Sequence, residues 1–235
     1  MSLVKSKGNM YDWVTHMHTH IAGQCPHKCS YCYVQTGVAR ISGKYKGELR
    51  LIDKEFSVNY GKDKIIFIEH MNDMFAEQVP EDWIKKILFH CCDWQENQYI
   101  FQTKNPFMAL NFTSKGLFPK NFIIGTTIES THHYKEVSES PSPLIRYLGI
   151  KRLSYERNRV FITIEPILDF DLDMMVEWIT EIHPEFVNIG ADSKGCGLTE
   201  PSTQKIYTLI DRLTKEGVII KKKINLKRLG VNLEQ

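Results

Sequence analysis

Short runs of β-branched and aromatic residues alternate along the chain with segments whose apolar positions recur at helical spacing. The runs predict strands over Trp13–Ile21, Lys64–Glu69, Gln98–Thr103, Phe122–Ile128, Val160–Ile164 and Phe186–Ile189, with Ile219–Ile224 a candidate seventh. Four helices are expected between them. Asp82 is placed to cap one whose apolar face carries Trp83, Ile84, Ile87 and Leu88. Leu172, Met175, Trp178, Ile179 and Ile182 mark another, and Leu144–Leu153 a further one. Ser202 is placed to cap the last, with Ile206, Leu209, Ile210 and Leu213 inside and Gly217 where a C-terminal glycine belongs.

Strands that alternate with helices imply parallel pairing through right-handed crossovers. Six or seven units rather than eight predict an α/β fold of the partial (β/α)6, TIM-like barrel kind. A doubly wound open sheet fits the same pattern. There is no internal repeat, low-complexity tract or long Pro/Gly/Ser linker, so residues 1–235 read as a single domain, with a core over about residues 12–216 and a basic segment over 217–235. At 235 residues and 42% hydrophobic, the chain can bury one substantial core. Thirty Lys and Arg against 28 Asp and Glu leave a formal charge of +2, which neither advertises nor excludes nucleic-acid binding. No apolar run reaches the roughly 18–20 residues that span a bilayer, and the stretch Met1–Asn9 is polar with no apolar segment behind it. A cytoplasmic monomer without membrane attachment is expected.

Six cysteines in a chain of this size and compartment do not suggest disulfides. Three fall within eight residues, as Cys25-Pro-His-Lys-Cys29-Ser-Tyr31-Cys32. The spacing C-x3-C-x2-C lets one loop present three thiolates to one metal centre. Structural zinc sites and most iron–sulfur clusters take four protein ligands. No fourth cysteine follows at suitable spacing, and His27 is awkwardly placed to reach the same centre. Three ligands on a four-iron cube leave one iron open to a small molecule. A zinc knuckle in a nucleic-acid-binding module without catalysis is the alternative.

The sequence C-x3-C-x-aromatic-C, with Tyr31 in the aromatic position, resembles the signature of the radical S-adenosylmethionine superfamily. The resemblance implies a [4Fe–4S] cluster on Cys25, Cys29 and Cys32. It also implies reductive cleavage of S-adenosylmethionine to a 5′-deoxyadenosyl radical that abstracts hydrogen from a substrate, with chemistry supplied by the cofactor. Polar groups follow each predicted strand, where a barrel places its active site: the cysteine loop, Glu69 to Asp73, Thr103 to Pro106, Glu129 to Thr131, Glu165-Pro166, and Gly190 to Ser193. Order and local pattern over roughly residues 12–195 look like the branch containing the spore photoproduct lyases and uncharacterised phage-associated radical enzymes. The second-strand motif departs from it in lacking Gly-Gly-Glu, and the chain is too short for the extra N-terminal region of the lyases.

By that resemblance Lys104 would meet the cofactor carboxylate, His70 or Asn72 its amino group, and Glu129 or Ser130 its ribose or methionine part. Tyr31 and Tyr33 would pack near adenine, and Glu165 joins the cofactor set. Lys104 reads otherwise as an exposed loop lysine, and Glu129 and Glu165 as members of a buried ion pair. An external flavodoxin- or ferredoxin-type electron donor is implied, and a nucleic acid or nucleoside substrate is favoured over a peptide. Cys196, in the glycine-rich loop after the sixth strand, is placed to return a hydrogen atom to substrate, as a cysteine does in the photoproduct lyases; a loop thiol without a role is the alternative.

Three further features stand apart. His16, His18 and His20 alternate and so share one strand face, but same-face neighbours diverge by roughly 7 Å, which favours hydrogen-bonding over a second metal site. Cys91 and Cys92 read as buried core. The run Lys221-Lys222-Lys223 with Lys227 and Arg228 reads as a solvated edge, or as a nucleic-acid contact.

Overall fold

An eight-stranded sheet forms the centre of the computed structural model, which describes residues 3–7, 10–36 and 43–233. Met1, Ser2, Gly8 and Asn9 of the polar N-terminal stretch lie outside the described residues. In chain order the elements are β1 (Val4–Lys5), β2 (His16–His18), β3 (Ile21–Ala22), α1 (Tyr33–Thr36), β4 (Arg50–Leu51), β5 (Ile65–Ile68), α2 (Glu81–Cys92), β6 (Gln98–Thr103) and α3 (Pro106–Thr113). There follow β7 (Phe122–Thr127), α4 (Pro143–Tyr155), β8 (Val160–Ile164), α5 (Leu172–Ile182), β9 (Val187–Ile189), α6 (Thr203–Lys215) and β10 (Ile220–Lys222). The sheet order is β1-β2-β5-β6-β7-β8-β9-β10, parallel throughout except at β1–β2. From β5 onward every parallel pair is joined through a helix, which is the partial TIM-like barrel expected, and the candidate seventh strand is present as β10.

The period of two along each strand divides the side chains into two sets. Outward positions such as Ile66, Ile68, Tyr99, Phe101, Ile124, Val160 and Ile162 pack against the helices in the larger core. Inward positions Met17, Phe67, Ile100, Ile123 and Phe161, with Tyr11 and Phe186, close the bottom of the barrel in a smaller aromatic core. Trp13 stacks on Tyr11 at 5.4 Å and meets Phe161 edge-on at 5.8 Å. One step further along the strands the inward residues turn polar, as Gln102, Thr127, Thr163 and Glu165. The barrel therefore has an apolar floor and a polar mouth.

Several elements differ from expectation. The strand expected over Trp13–Ile21 is β2 and ends at His18, and Ile21–Ala22 leaves the main sheet to pair antiparallel with Arg50–Leu51. Helix α2 begins at Glu81 after Pro80, without a side-chain cap. Asp82 is thus not the cap: it lies in the first turn, where a carboxylate meets the positive helix end, and bonds Lys85 at 3.1 Å. Ser202 does cap α6, accepting from Lys205 N, and Gly217 follows with φ +80°. The helix Pro106–Thr113 was not anticipated, because Pro-Phe-Met-Ala-Leu-Asn-Phe-Thr is apolar around most of its circumference and shows no stripe.

The basic run is a solvated edge only at Lys227 and Arg228, which are exposed. Alternation on β10 sends Lys221 over the rings of Phe186 and Trp13, at 4.0 and 5.0 Å, and Lys223 to the barrel mouth, 2.8 Å from Glu165. Arg228 is held by Glu200 and by the carbonyl of Asp192.

Candidate active site

The polar ends of the strands enclose a cavity of about 600 Å³. On one side of it lies the cysteine loop. Gly23 opens this loop with φ +93°, and a Cβ there would stand 2.1 Å from the carbonyl oxygen of Glu48, so only glycine fits. The chain then turns back on itself, with Lys28 N donating to Cys25 O and Cys32 N to Cys29 O, before entering α1. Cys25, Cys29 and Cys32 all border the cavity, and every cysteine is a free thiol. Burial, and next the Asp73 carboxylate, push the Cys25 thiol up to about 12. Burial also raises Cys32. Such thiols are poor nucleophiles alone, and a bound metal centre is what would ionise them. Among the described residues the set whose ligand atoms all lie within 4.8 Å is His18, His20 and His90; the cysteines are not grouped so tightly around a single ion.

The loop is fastened on two sides. Ser30 N donates to Val137 O, Glu139 N to His27 O, and Cys29 Sγ lies 3.2 Å from Ser138 Oγ. His27 points inward, and its Nε2 lies 2.7 Å from Asp73 Oδ2. The same oxygen accepts from Thr103 Oγ1 at 3.0 Å and Lys104 N at 2.8 Å, while Oδ1 accepts from Phe75 N. Burial alone would raise Asp73, but His27 and these N–H groups outweigh it and hold the carboxyl below its usual range.

Across the cavity Lys104, Glu129 and Tyr31 come together, with Glu129 in the buried ion pair that was its alternative reading. Lys104 Nζ is 2.9 Å from Glu129 Oε1, Arg146 Nη1 is 2.5 Å from Oε2, and the Tyr31 hydroxyl donates to the same carboxylate. Burial opposes ionisation of Glu129, but Arg146 and Lys104 prevail and keep it a carboxylate. Tyr31 and Lys104 line the cavity, with Glu129 behind them. Glu165 also lines it, taking Lys223 and the Asn225 amide at 2.8 Å each. Gly190 leaves the room this carboxylate occupies, since a Cβ would stand 2.7 Å from it.

His70 and Asn72 border the cavity too. His70 Nδ1 lies 3.1 Å from Thr19 Oγ1, and burial lowers the ring to about 4, so it is neutral. Asn72 Nδ2 donates to Gly23 O at 3.1 Å. Tyr33 donates to His70 O at 2.6 Å. Glu69 lies between cavity and core, and burial pushes it up to about 8. Ser130 does not face the cavity; its hydroxyl donates to Asp169 O and accepts from His132 N. Cys196 is not among the lining residues, although Asp192, Ser193 and Lys194 of its loop are.

Sequence patterns missed four contributors. Arg146 carried no signal among the basic residues of α4, Asp73 appeared only inside a strand-end cluster, and Lys223 belonged to an apparent surface run. Tyr11, whose hydroxyl reaches Gln102 and Thr163 at 2.7 and 2.8 Å, lies between β1 and β2 and has no periodic partner.

Residues 11–180 match the family model described as "Protein of unknown function (DUF5131)". The chain belongs to this family. No curated protein matches the sequence. Among solved structures, a spore photoproduct lyase variant superposes with TM-score 0.64 at 10% identity, covering 94% of this chain and 81% of that one. Spore photoproduct lyase complexed with dinucleoside spore photoproduct gives TM-score 0.58 at 11% identity over 88% of this chain. Streptococcus suis SuiB bound to S-adenosylmethionine gives 0.57 at 10% identity over 88%. The DUF5131 chain spans 63% of that lyase complex's chain and 50% of SuiB. It therefore has the fold of radical S-adenosylmethionine enzymes such as spore photoproduct lyase and SuiB.

Proposed function

We propose that this chain is a radical S-adenosylmethionine enzyme. One observation carries the reading: three thiols from a single loop border a cavity at the C-terminal ends of the parallel strands, without a fourth cysteine in the loop. The donor set suits a [4Fe–4S] cluster with one iron left open. The cavity volume lies within the roughly 300–1,000 Å³ of small-molecule sites. When bound, the cluster supplies the electron that cleaves S-adenosylmethionine to methionine and a 5′-deoxyadenosyl radical.

The chain's own residues bind and orient. Cys25, Cys29 and Cys32 would hold the cluster. Lys104 would meet the cofactor carboxylate, and His70, neutral, or Asn72 its amino group. Glu129 or Ser130 would serve the ribose or methionine part; of the two, Glu129 contacts the cavity-lining residues Lys104 and Tyr31. Tyr31 and Tyr33 would flank adenine, with Glu165 across the mouth. A flavodoxin- or ferredoxin-type protein would donate electrons. The proposed substrate is a nucleic acid or nucleoside. That choice leans on likeness to a lyase solved with a dinucleoside, because Lys221 and Lys223 turn into the barrel instead of forming a basic face.

Anaerobic reconstitution with iron and sulfide, then reduction with S-adenosylmethionine present, tests the reading. About four irons per chain and release of 5′-deoxyadenosine are expected. Stoichiometric zinc on the cysteine loop with no 5′-deoxyadenosine would sink it.

A further inference from the structure

The histidines at the end of β2 do not diverge. The strand stops at His18, the backbone turns, and the rings of His18 and His20 approach to 4.4 Å between centroids. His90 arrives from α2, and one nitrogen of each ring lies within 4.8 Å of the other two. All three are buried, at 5%, 0% and 6% exposure.

The outward nitrogen of every ring is anchored. His90 Nε2 is 3.0 Å from the carbonyl of Val58, which can only accept. His18 Nε2 lies 3.2 Å from Glu55 Oε2, and His20 Nδ1 2.7 Å from Glu69 Oε1. Both Glu69 oxygens also accept backbone N–H bonds, from His20 and Ile21, which fixes the carboxyl group against the His20 ring. Two carboxyl groups and a carbonyl on the far ring nitrogens form the outer shell that orients metal-bound histidines.

The inward nitrogens converge with the Tyr60 hydroxyl on one point. The Tyr60 hydroxyl has one hydrogen to give, and it lies 2.6 Å from His18 Nδ1. His20 Nε2 and His90 Nδ1 are left facing each other at 2.9 Å, with the Tyr60 oxygen 3.2 Å from the former. A divalent cation taking a lone pair from each of the three rings would replace the hydrogen bond between His20 and His90.

The geometry points to a second, structural metal site, in which His18, His20 and His90 hold a zinc-type divalent cation with the Tyr60 hydroxyl at the fourth corner. Imidazole nitrogen and an oxygen in a tetrahedral set suit zinc. Phe56 packs on His20 and His90, at 4.7 and 5.6 Å, and Glu69 separates the cluster from the cavity, so the position is closed to substrate. The cation would bolt the strand that leads into the cysteine loop to α2. It does not depend on the iron–sulfur reading.

Cobalt(II) titration tests the site in a form that the cysteine loop cannot imitate. The variant with Cys25, Cys29 and Cys32 all changed to Ala should take up about one cobalt, with tetrahedral d–d absorption and no thiolate-to-cobalt charge transfer. His90→Gln in that background should abolish the absorption, and zinc should raise the Tm of wild type but not of His90→Gln. Because His90→Gln puts folding at risk, the cobalt form of the unsubstituted chain supplies a second measure: three paramagnetically shifted imidazole N–H resonances. No cobalt bound by the triple variant, equal binding in a folded His90→Gln chain, or fewer than three shifted histidine signals would each overturn the site.

Discussion

His27 Nε2 and Asp73 Oδ2 stand 2.7 Å apart, and that bond joins the middle of the cysteine loop to the segment after β5, whose carboxylate also reaches the end of β6. Because the same carboxylate also accepts from Thr103 and Lys104, the loop and the strand end share one anchor. The lysine proposed for the cofactor and the cysteines proposed for the cluster are therefore positioned by a single side chain.

Asp73→Asn should loosen both. An amide has one acceptor oxygen, so one or more of the buried donors loses its partner, at a cost of about 2–4 kcal/mol. Urea unfolding should show that loss, and reconstituted iron content should fall with it. The pH dependence has a definite sign. Because the folded carboxyl is held below its unfolded value, its stabilisation is present at neutral pH and fades as pH falls through the acid range below about 4. The variant should lack that part of the acid transition.

Lys104→Ala separates cofactor binding from cluster assembly. Glu129 keeps Arg146 and Tyr31, so the buried carboxylate is not abandoned and the fold should lose only about 1 kcal/mol. Iron content should match wild type, while S-adenosylmethionine affinity in a titration should drop about tenfold, near 1.4 kcal/mol. Unchanged affinity would remove Lys104 from the cofactor site.

The strand–helix alternation and the cysteine loop were legible in the sequence because both are local signals, periodicity in one case and spacing in the other. What was not legible comes from contacts across the barrel. His27 looked awkward inside its own loop and is explained only by Asp73, brought from the end of β5. His90 sits 70 residues after His20 and shares no motif with it. The strand rule that set His18 and His20 about 7 Å apart was sound physics applied past the point where the strand ends. Lys221 and Lys223 read as solvated because charge is usually outside, yet alternation on a barrel strand sends every second residue inward whatever its charge.

Gly190→Ala probes the mouth. The added methyl would stand 2.7 Å from the Glu165 carboxyl, which must then move and loosen its contacts with Lys223 and Asn225. A loss of about 1–3 kcal/mol from overpacking is expected. If Glu165 serves the cofactor, S-adenosylmethionine affinity should fall in parallel. Full affinity in a folded variant would show that Glu165 acts on stability alone.

Cys196 offers a final test, and it separates a hydrogen donor from a bystander. The thiol is half-buried on the loop held by Asp192, which accepts from the backbone N–H groups of Lys194 and Cys196. Burial, and then the Asp192 charge, raise the thiol, so it keeps the S–H hydrogen that such a role requires. Its loop reaches the cavity through Ser193 and Lys194, while Cys196 itself stands off the lining, so a small loop movement must bring it in. A thiol hydrogen exchanges with water, and heavy water would label it. In heavy water without added substrate, wild type should release 5′-deoxyadenosine carrying deuterium from that position. Cys196→Ala should cleave S-adenosylmethionine at a similar rate, with unchanged iron content, and carry less of the label. Equal label in the two proteins would leave Cys196 a loop thiol outside the chemistry.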